Sequence, residues 1–324
     1  MISASEQQAL VRLLERTAPE QTWPTLSRAG WLDLLPDATQ WEYADVAGFV
    51  AGACATHRPA LQVGAHLAAA AALSLAGQPP PSSAPLGFVV DVAVSQDSIT
   101  GLVWGGQSSA IGFAPGLGLV RVPLEGPHLS ASPLLFLGTS AVRSFVTPTS
   151  AVELIAAAAA EDHATAIASY LMAAESIAVA AAATERTRQY LLQRTAFGKP
   201  LAAQQVLQHR LVDMALNDLT GAALLQAAGR AWTTGSGHRP SWSAKLHAAV
   251  KSVWTLEQAI QLHGGIGFTQ ELGLADWLRV AQRSRLLLGG RLRAAREVVE
   301  AVGPVLAEPP RDWSTDFAPR HTVA

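Results

Sequence analysis

The sequence predicts a mostly α-helical fold in which a small β-rich part lies between two helical parts. Apolar residues recur at helical spacing near the N-terminus, as Leu10, Leu13 and Leu14 show. From Gly87 the pattern changes to short runs rich in valine and leucine, separated by glycine, proline and serine. After Ser150 long alanine-rich stretches follow, and alanine favours closely packed helices.

Composition narrows the class of protein. With 324 residues, 49% of them hydrophobic and 15% charged, the chain is large and apolar enough to bury a substantial core. A formal net charge of −2, without a block of like charges, argues against nucleic acid or an anionic membrane as a partner. The single cysteine, Cys54, excludes an internal disulfide framework and indicates a reducing, cytoplasmic location. We expect Cys54 to be a small buried side chain rather than a nucleophile.

No membrane segment is predicted. The stretch Ser5-Glu6-Gln7-Gln8 lacks the basic and apolar regions of a signal peptide. The alanine-rich run 164–183 is interrupted by Glu175, and alanine is barely lipophilic. We therefore expect this run to form a helix packed inside the protein.

Stretches rich in proline and glycine separate the predicted domains. The first is an N-terminal helical domain over residues 1–84, and the second is a small β domain over residues 85–147. The proline-rich stretch 78–83 is predicted to be a linker, because proline removes amide donors and cannot continue a helix. Trp104 is interpreted as a core residue. Strands are predicted at 88–94, 118–122 and 134–137.

The remainder is predicted to be a C-terminal four-helix-bundle domain over 148–306, followed by an extended tail at 307–324. Thr149 or Ser150 is expected to cap the first helix, with Glu153 in its first turn. Helices are predicted at 149–194, 201–232, 242–263 and 290–305, with a loop at 233–237.

Two segments of this domain carry a pattern suited to a dinucleotide. The first, 194–201, has the sequence RTAFGKPL, and Gln205 follows it; the second, 261–271, has the sequence QLHGGIGFTQE. A pyrophosphate needs cationic forks and exposed backbone amides. The guanidinium of Arg194, at a helix end, can contact phosphate oxygens in bidentate fashion. Gln205 can donate and accept hydrogen bonds to an adenosine.

Glycine has a physical reason to occur in the second segment. Gly264 and Gly265 are predicted to end a helix, since glycine adopts the left-handed cap conformation without steric cost. Taken alone, however, such a pair indicates only a turn between helices, and an arginine near a helix end can simply complement the helix dipole. Taken alone, an aromatic ring such as that of Phe197 is likewise more typical of core packing than of a contact with a dinucleotide.

Other polar and aromatic residues of this domain are interpreted as structural. His263 is interpreted as a helix-end residue rather than a base. Lys245 and Trp254 are interpreted as parts of the packed bundle.

Together the two segments resemble the C-terminal half of the acyl-CoA dehydrogenases, and the stretch 26–32, LSRAGWL, resembles that family's N-terminal "aG-W" turn. The resemblance implies the family's fold, with an N-terminal helical domain, a central β domain and a C-terminal bundle. It also implies residues that contact the ADP end of an FAD held by a neighbouring subunit. These are Arg194, Phe197, Gln205, Gln261, Gly264 and Gly265.

The same resemblance implies that the catalytic base is missing. In this family a glutamate removes the α-proton of a CoA thioester while the β-hydrogen leaves as hydride to the flavin. With Arg279 and Ala281 aligned to the family's Arg-Asp-Ala, Leu288 takes the glutamate's place and Gly290 that of a threonine near FAD. A second position that some members use for the base falls near Ala168.

Three carboxylates lie near that second position in the sequence. Glu161, Asp162 and Glu175 are interpreted as residues of a solvated helix face. The strands that flank the flavin ring in the family, with sequences like Thr-Glu-Pro-x-x-Gly-Ser-Asp and Trp-Ile-Thr, have no counterpart in this chain.

These features are similar to those of the short subunit in actinobacterial α2β2 acyl-CoA dehydrogenases of steroid catabolism. The leading hypothesis is therefore a subunit that completes the FAD site of a longer homologous partner, which holds the acyl-CoA and passes electrons to an electron-transfer flavoprotein or a similar acceptor. A self-sufficient flavoprotein with a relocated base, Glu161 or Glu175, is the first alternative. A structural or regulatory homologue that binds no flavin is the second.

Overall fold

A computed structural model describes residues 21–28, 43–56, 63–79, 85–106, 108–125, 142–157 and 160–307, together with residues 9, 12–14, 16–17 and 132–133. The predicted strand at 134–137, most of the proline-rich linker and the tail beyond residue 307 lie outside the described residues. The same holds for the second half of the stretch 26–32 and for the side chain of Cys54.

In the N-terminal part three helices have described bounds, α1 (Thr22–Arg28), α2 (Tyr43–Thr56) and α3 (Val63–Leu75), and residues 9 and 12–14 are also helical. Helix α3 has the sequence VGAHLAAAAALSL, and its residues are buried from Val63 to Leu73. A helix that is apolar on every side is stable only when it is covered all round. Here α3 lies between the sheet and the long helix of the C-terminal part.

A seven-stranded sheet follows, in the order β5-β6-β2-β1-β3-β4-β7. Its centre is β1, which pairs antiparallel with β2 (Phe88 opposite Trp104) and parallel with β3 (Phe88 opposite Ile111). The strands are β1 (Gly87–Val94), β2 (Ser98–Gly105), β3 (Ser109–Ala114), β4 (Gly118–Pro123), β5 (Ser132–Pro133), β6 (Val142–Pro148) and β7 (Glu153–Ala156). The predicted strands at 88–94 and 118–122 are confirmed, and Trp104 is fully buried as expected of a core residue.

The predicted helix start at Thr149 or Ser150 is wrong. Thr149–Ala151 forms a single 3₁₀ turn, and Glu153 belongs to strand β7, which pairs with β4. The backbone N–H and C=O groups of this segment form hydrogen bonds with β4, which would otherwise be an edge strand. A sequence pattern alone does not reveal this pairing. The sheet therefore includes residues as far as Ala156.

Six helices form the C-terminal part: α4 (Glu161–Gln193), α5 (Gln205–Thr233), α6 (His238–His247), α7 (Val253–His263), α8 (Leu274–Leu286) and α9 (Gly290–Ala307). The single helix predicted at 242–263 is in fact α6 and α7, joined by a π-helical segment, Ala248–Ser252. Helix α8 was not predicted from the sequence. The predicted loop between α5 and α6 is confirmed, since α5 ends at Thr233 and α6 begins at His238.

Helix α4 is the centre of the molecule and packs against α2, α3, α5, α6, α7 and α8. It is the one described helix that is long and apolar enough to cross a membrane, but 83% of its most apolar window is buried inside the protein. Its alanine and leucine side chains are thus covered by neighbouring helices, as expected of a packed core helix.

Candidate functional site

The first predicted segment forms a tight hairpin at the end of α4. Arg194 ends the helix: its backbone N–H donates to Tyr190 O at 2.8 Å, and its own carbonyl accepts from Leu201 N at 2.8 Å. Between these bonds the chain makes two short strands, β8 (Thr195–Ala196) and β9 (Lys199–Pro200). At the tip, the φ angles of Phe197 (56°) and Gly198 (78°) are both positive, as a two-residue type I′ turn requires.

This turn projects side chains out of the bundle. Arg194 is exposed, Gln205 is exposed at the first turn of α5, and Phe197 is 94% exposed. The interpretation of Phe197 as a core residue is therefore wrong. An aromatic side chain held at a turn tip with no cover from its own described chain is typical of a contact with another molecule.

The second segment ends α7. His263 is the last residue of the helix, as predicted, and Gly264 follows it with a φ of 63° and a ψ of −140°. The positive φ favours glycine, but this conformation is not the left-handed cap that the sequence predicted. The chain then makes a 3₁₀ turn, Gly264–Phe268, on which Phe268 is 73% exposed. The side chain of Gln261 and the backbone of both Gly264 and Gly265 are exposed to solvent.

Gly265 needs a different explanation from its neighbours. At Gly267 an added Cβ would lie 2.3 Å from Ile260 O, so close packing inside the chain explains that glycine. At Gly265, by contrast, φ is not positive, and no described atom lies within 4 Å of an added Cβ. Neither the backbone conformation nor the described packing requires glycine there, which favours close approach by another molecule.

The structure brings the two segments to the same end of the bundle. The rings of Tyr190 and His263 stack with their centroids 4.5 Å apart, and Tyr190 Oη donates to His263 O at 3.4 Å. Arg194 lies one helical turn beyond Tyr190, and Gly264 is the next residue after His263. Among the residues that the structure describes, Arg194 forms no ion pair. A guanidinium without an ion pair, at the same end of the bundle as an exposed glycine backbone, suits a pyrophosphate.

The loop between α8 and α9 occupies a second region of interest. Leu288 is 4% exposed and has a φ of 58°, and Gly289 and Gly290 also have positive φ. The carboxylate of Asp91, on β1, accepts from Leu288 N at 3.1 Å and from Gly289 N at 2.9 Å. Asp91 was not predicted from the sequence, although a single aspartate within an apolar strand was a signal.

A cavity of about 210 Å³ lies beneath this loop. Its charged lining comes from Asp91, Glu161 and Arg293, and Leu288 closes one side. Cofactor and small-molecule sites usually have about 300–1,000 Å³. The cavity is therefore below the range expected of a site that holds a flavin ring and a CoA thioester.

The three carboxylates on α4 have different surroundings. Asp162 is exposed, as predicted, and Glu161 is half-buried at the cavity. For Glu175 the interpretation as a solvated residue is wrong, because it is 1% exposed. Its carboxylate accepts from Arg283 Nη2 at 3.1 Å and from Gly64 N at 3.2 Å, and it does not line the cavity.

Lys245 is fully buried, as expected of a structural residue, and donates from Nζ to Ser284 O at 2.9 Å. Burial lowers its pKa to about 7; the charge of Asp91 opposes this shift, and that of Arg293 adds to it. Between pH 7 and the ordinary value of 10.5 the unfolded chain thus binds more protons than the folded chain.

The free energy of unfolding is therefore expected to rise as the pH is raised through that window, by at most about 1.4 kcal/mol per pH unit. Denaturant titrations at several pH values would measure this slope. Lys245→Met keeps most of the length of the side chain but carries no titrating group, so the rise should be absent. An equal rise in both proteins would contradict the assignment.

Comparison with solved structures identifies the class of fold. The structure named "Tcur3481-Tcur3483 steroid ACAD G363A variant" superposes with a TM-score of 0.70 at 20% sequence identity, covering 94% of this chain and 98% of that one. The predicted fold class is confirmed: the chain has the acyl-CoA dehydrogenase fold.

Sequence comparisons agree for the C-terminal part. Residues 163–302 match the family model "Acyl-CoA dehydrogenase, C-terminal domain". Probable acyl-CoA dehydrogenase YngJ of Bacillus subtilis (strain 168) is 34% identical over 117 residues, which is 34% of this chain and 30% of that protein. Acyl-CoA dehydrogenase IpdE2 of Mycobacterium tuberculosis is 31% identical over 147 residues, 44% of this chain and 42% of that protein. The matches span less than half the length of these relatives.

Proposed function

We propose that this chain is the short subunit of a heteromeric, FAD-dependent acyl-CoA dehydrogenase, in which it completes the ADP end of the FAD site of a longer homologous partner. The observation that carries the proposal is Gly265, a glycine that nothing in the described chain requires. Gly265 is exposed, as are the side chains of Arg194, Gln205 and Gln261. Together they provide a cation, amide side chains and an exposed, uncrowded glycine backbone, which suit a pyrophosphate and an adenosine.

Catalysis is assigned to the partner. Bound FAD would supply the hydride acceptor for the β-hydrogen of a CoA thioester, but the α-proton needs a base. In this chain the buried side chain at the usual position is that of Leu288. The cavity beneath it, about 210 Å³, further supports a substrate site on the other subunit.

The proposal extends to the substrate, the electron acceptor and the interface of the oligomer. The two-component name of the steroid ACAD with this fold supports a heteromer that acts on a steroid-derived CoA thioester. An electron-transfer flavoprotein or a similar carrier would reoxidise the flavin in the cytoplasm. The oligomer would form through the C-terminal helices, where exposed apolar residues of α5 lie beside a groove of about 540 Å³.

Arg194→Ala tests the assignment of the FAD site. Removing a charge-assisted contact is expected to weaken FAD binding by the purified complex about 10- to 100-fold, from a cost of roughly 1.5–3 kcal/mol. Equilibrium titration of the apo-complex with FAD measures it. Arg230→Ala, an exposed arginine in the last turn of α5, is the matched control and should change nothing. An unchanged affinity in Arg194→Ala, or a yellow and active homomer without partner, would overturn the proposal.

Gly265→Ala separates binding from folding. Because an added methyl group meets no described atom, the isolated chain should be as stable as the native protein or about 0.4–1 kcal/mol more stable. In the complex, FAD affinity should fall on the order of tenfold, which corresponds to 1.4 kcal/mol. Thermal unfolding and FAD titration measure the two effects. Gly267→Ala should show the opposite pattern, since its methyl group collides with Ile260 O.

One observation favours a self-sufficient enzyme as the second candidate. Glu161 lines the same cavity as Leu288, so a relocated base has a place to act. Glu161→Gln in the intact complex discriminates between the two. Loss of turnover with an unchanged flavin spectrum would favour the second candidate, whereas our proposal expects full turnover.

A further inference from the structure

The stacked pair Tyr190–His263 has no role in the family pattern described above, yet it joins the two halves of the proposed ADP site. The ring planes are 27° apart, and the centroid distance is 4.5 Å. Tyr190 lies on α4 and His263 on α7, so the contact fixes the ends of two helices that are 73 residues apart in sequence. Aromatic pairs of this kind contribute about 0.5–1.5 kcal/mol beyond their buried area.

Tyr190 is hydrogen-bonded to both halves. Its backbone carbonyl accepts from Arg194 N at 2.8 Å, and its hydroxyl donates to His263 O at 3.4 Å. The first bond sets where the arginine leaves the helix. The second holds the peptide that joins His263 to Gly264. A shift of Tyr190 would therefore move the cation and the glycine amides relative to each other.

His263 is suited to a fixed position. Its Nδ1 is 2.8 Å from Ala259 O, which requires a hydrogen on that nitrogen, and the residue is 3% exposed. Burial lowers its pKa; the bond to Ala259 opposes this shift, and the charge of Arg186 adds to it. The ring is thus neutral near pH 7, and its stacking on Tyr190 is undisturbed by charge.

We propose that Tyr190 and His263 are positioning residues, which hold Arg194 and the exposed backbone of Gly264 and Gly265 at the spacing that a dinucleotide pyrophosphate needs before it binds. The inference rests on the proposed function. Its physical basis is preorganisation: a site whose groups are already in place loses less entropy when the ligand binds.

A double-mutant cycle tests it, with FAD affinity of the intact complex as the readout. Tyr190→Leu is expected to weaken FAD binding about tenfold when Arg194 is present. When Arg194 is already alanine, the same change should weaken binding by less than about threefold, because there is no cation left to position. Tyr190→Phe keeps the ring and should stay within about threefold of the native affinity.

Tyr43→Leu is the matched control for lost stability. Tyr43 stacks on Trp232 with a centroid distance of 5.0 Å, and Trp232 lies at the other end of α5 from Gln205. This variant should lower the melting temperature but leave FAD affinity unchanged. If Tyr190→Leu weakens binding equally with and without Arg194, or not at all, the positioning role is wrong while the FAD site stands. If Arg194→Ala alone has no effect, the proposed function fails and this inference with it.

Discussion

Replacing Arg283 by methionine is expected to lower the free energy of unfolding by about 3–5 kcal/mol. Arg283 and Glu175 are each 1% exposed, and their side chains join α8 to α4. Methionine fills most of the volume but removes the ion pair that Arg283 forms with the Glu175 carboxylate. A buried charge that loses its counter-charge keeps the full cost of leaving water. Chemical denaturation of the isolated chain measures the loss.

Two controls make this result specific to the buried pair. Arg279→Met removes an arginine one turn earlier on α8, where the ion pair with Asp276 is on the surface. That variant should lose less than about 1 kcal/mol, since exposed pairs contribute little. Adding Glu175→Gln to Arg283→Met should recover part of the stability. A double variant as unstable as the single one would show that packing, not charge, explains the loss.

Leu216→Asp is expected to weaken assembly with the partner subunit at least about 100-fold, an effect of roughly 3 kcal/mol. Val212, Leu216 and Leu219 lie on one face of α5 and are 56%, 56% and 68% exposed. Leu216 also lines the groove of about 540 Å³. A carboxylate placed on this exposed apolar face of α5 must lose its water when a partner covers it.

The mass of the complex at decreasing protein concentration measures this effect. Leu154→Asp is the matched control, because Leu154 is also a well-exposed leucine, at 62%, but lies on strand β7 of the sheet. It should leave the complex intact. Equal assembly of the Leu216→Asp protein would exclude this face of α5 from the interface and move the docking surface elsewhere on the bundle.

The ends of helices were the most predictable part of the candidate site. Arg194 and Gly264 lie where the sequence placed them, because a helix cap depends on a few neighbouring residues. The strand at Glu153–Ala156 was not predictable in this way. Its conformation depends on the edge of β4, and the local sequence permits a helical turn equally well.

The exposure of Phe197 shows a second limit. Its side chain is apolar, which favours a core position, yet the positive φ angles of a two-residue turn put it 94% in solvent. The type of a residue indicates only how apolar its side chain is. The turn decides where the side chain points, and here the turn is set by the pairing of Thr195 with Pro200.

The sequence by itself determined the helix–sheet–helix order, the two helix-end motifs around Arg194 and Gly264, and the leucine at position 288. These properties depend on residue type and on contacts within a few residues. Only the tertiary structure decided that Glu175 is a buried partner of Arg283, 108 residues away, and that Asp91 holds the loop of Leu288, 197 residues away. Such pairings depend on how the whole chain packs around α4, because a charged side chain looks the same in sequence whether it meets water or a counter-charge.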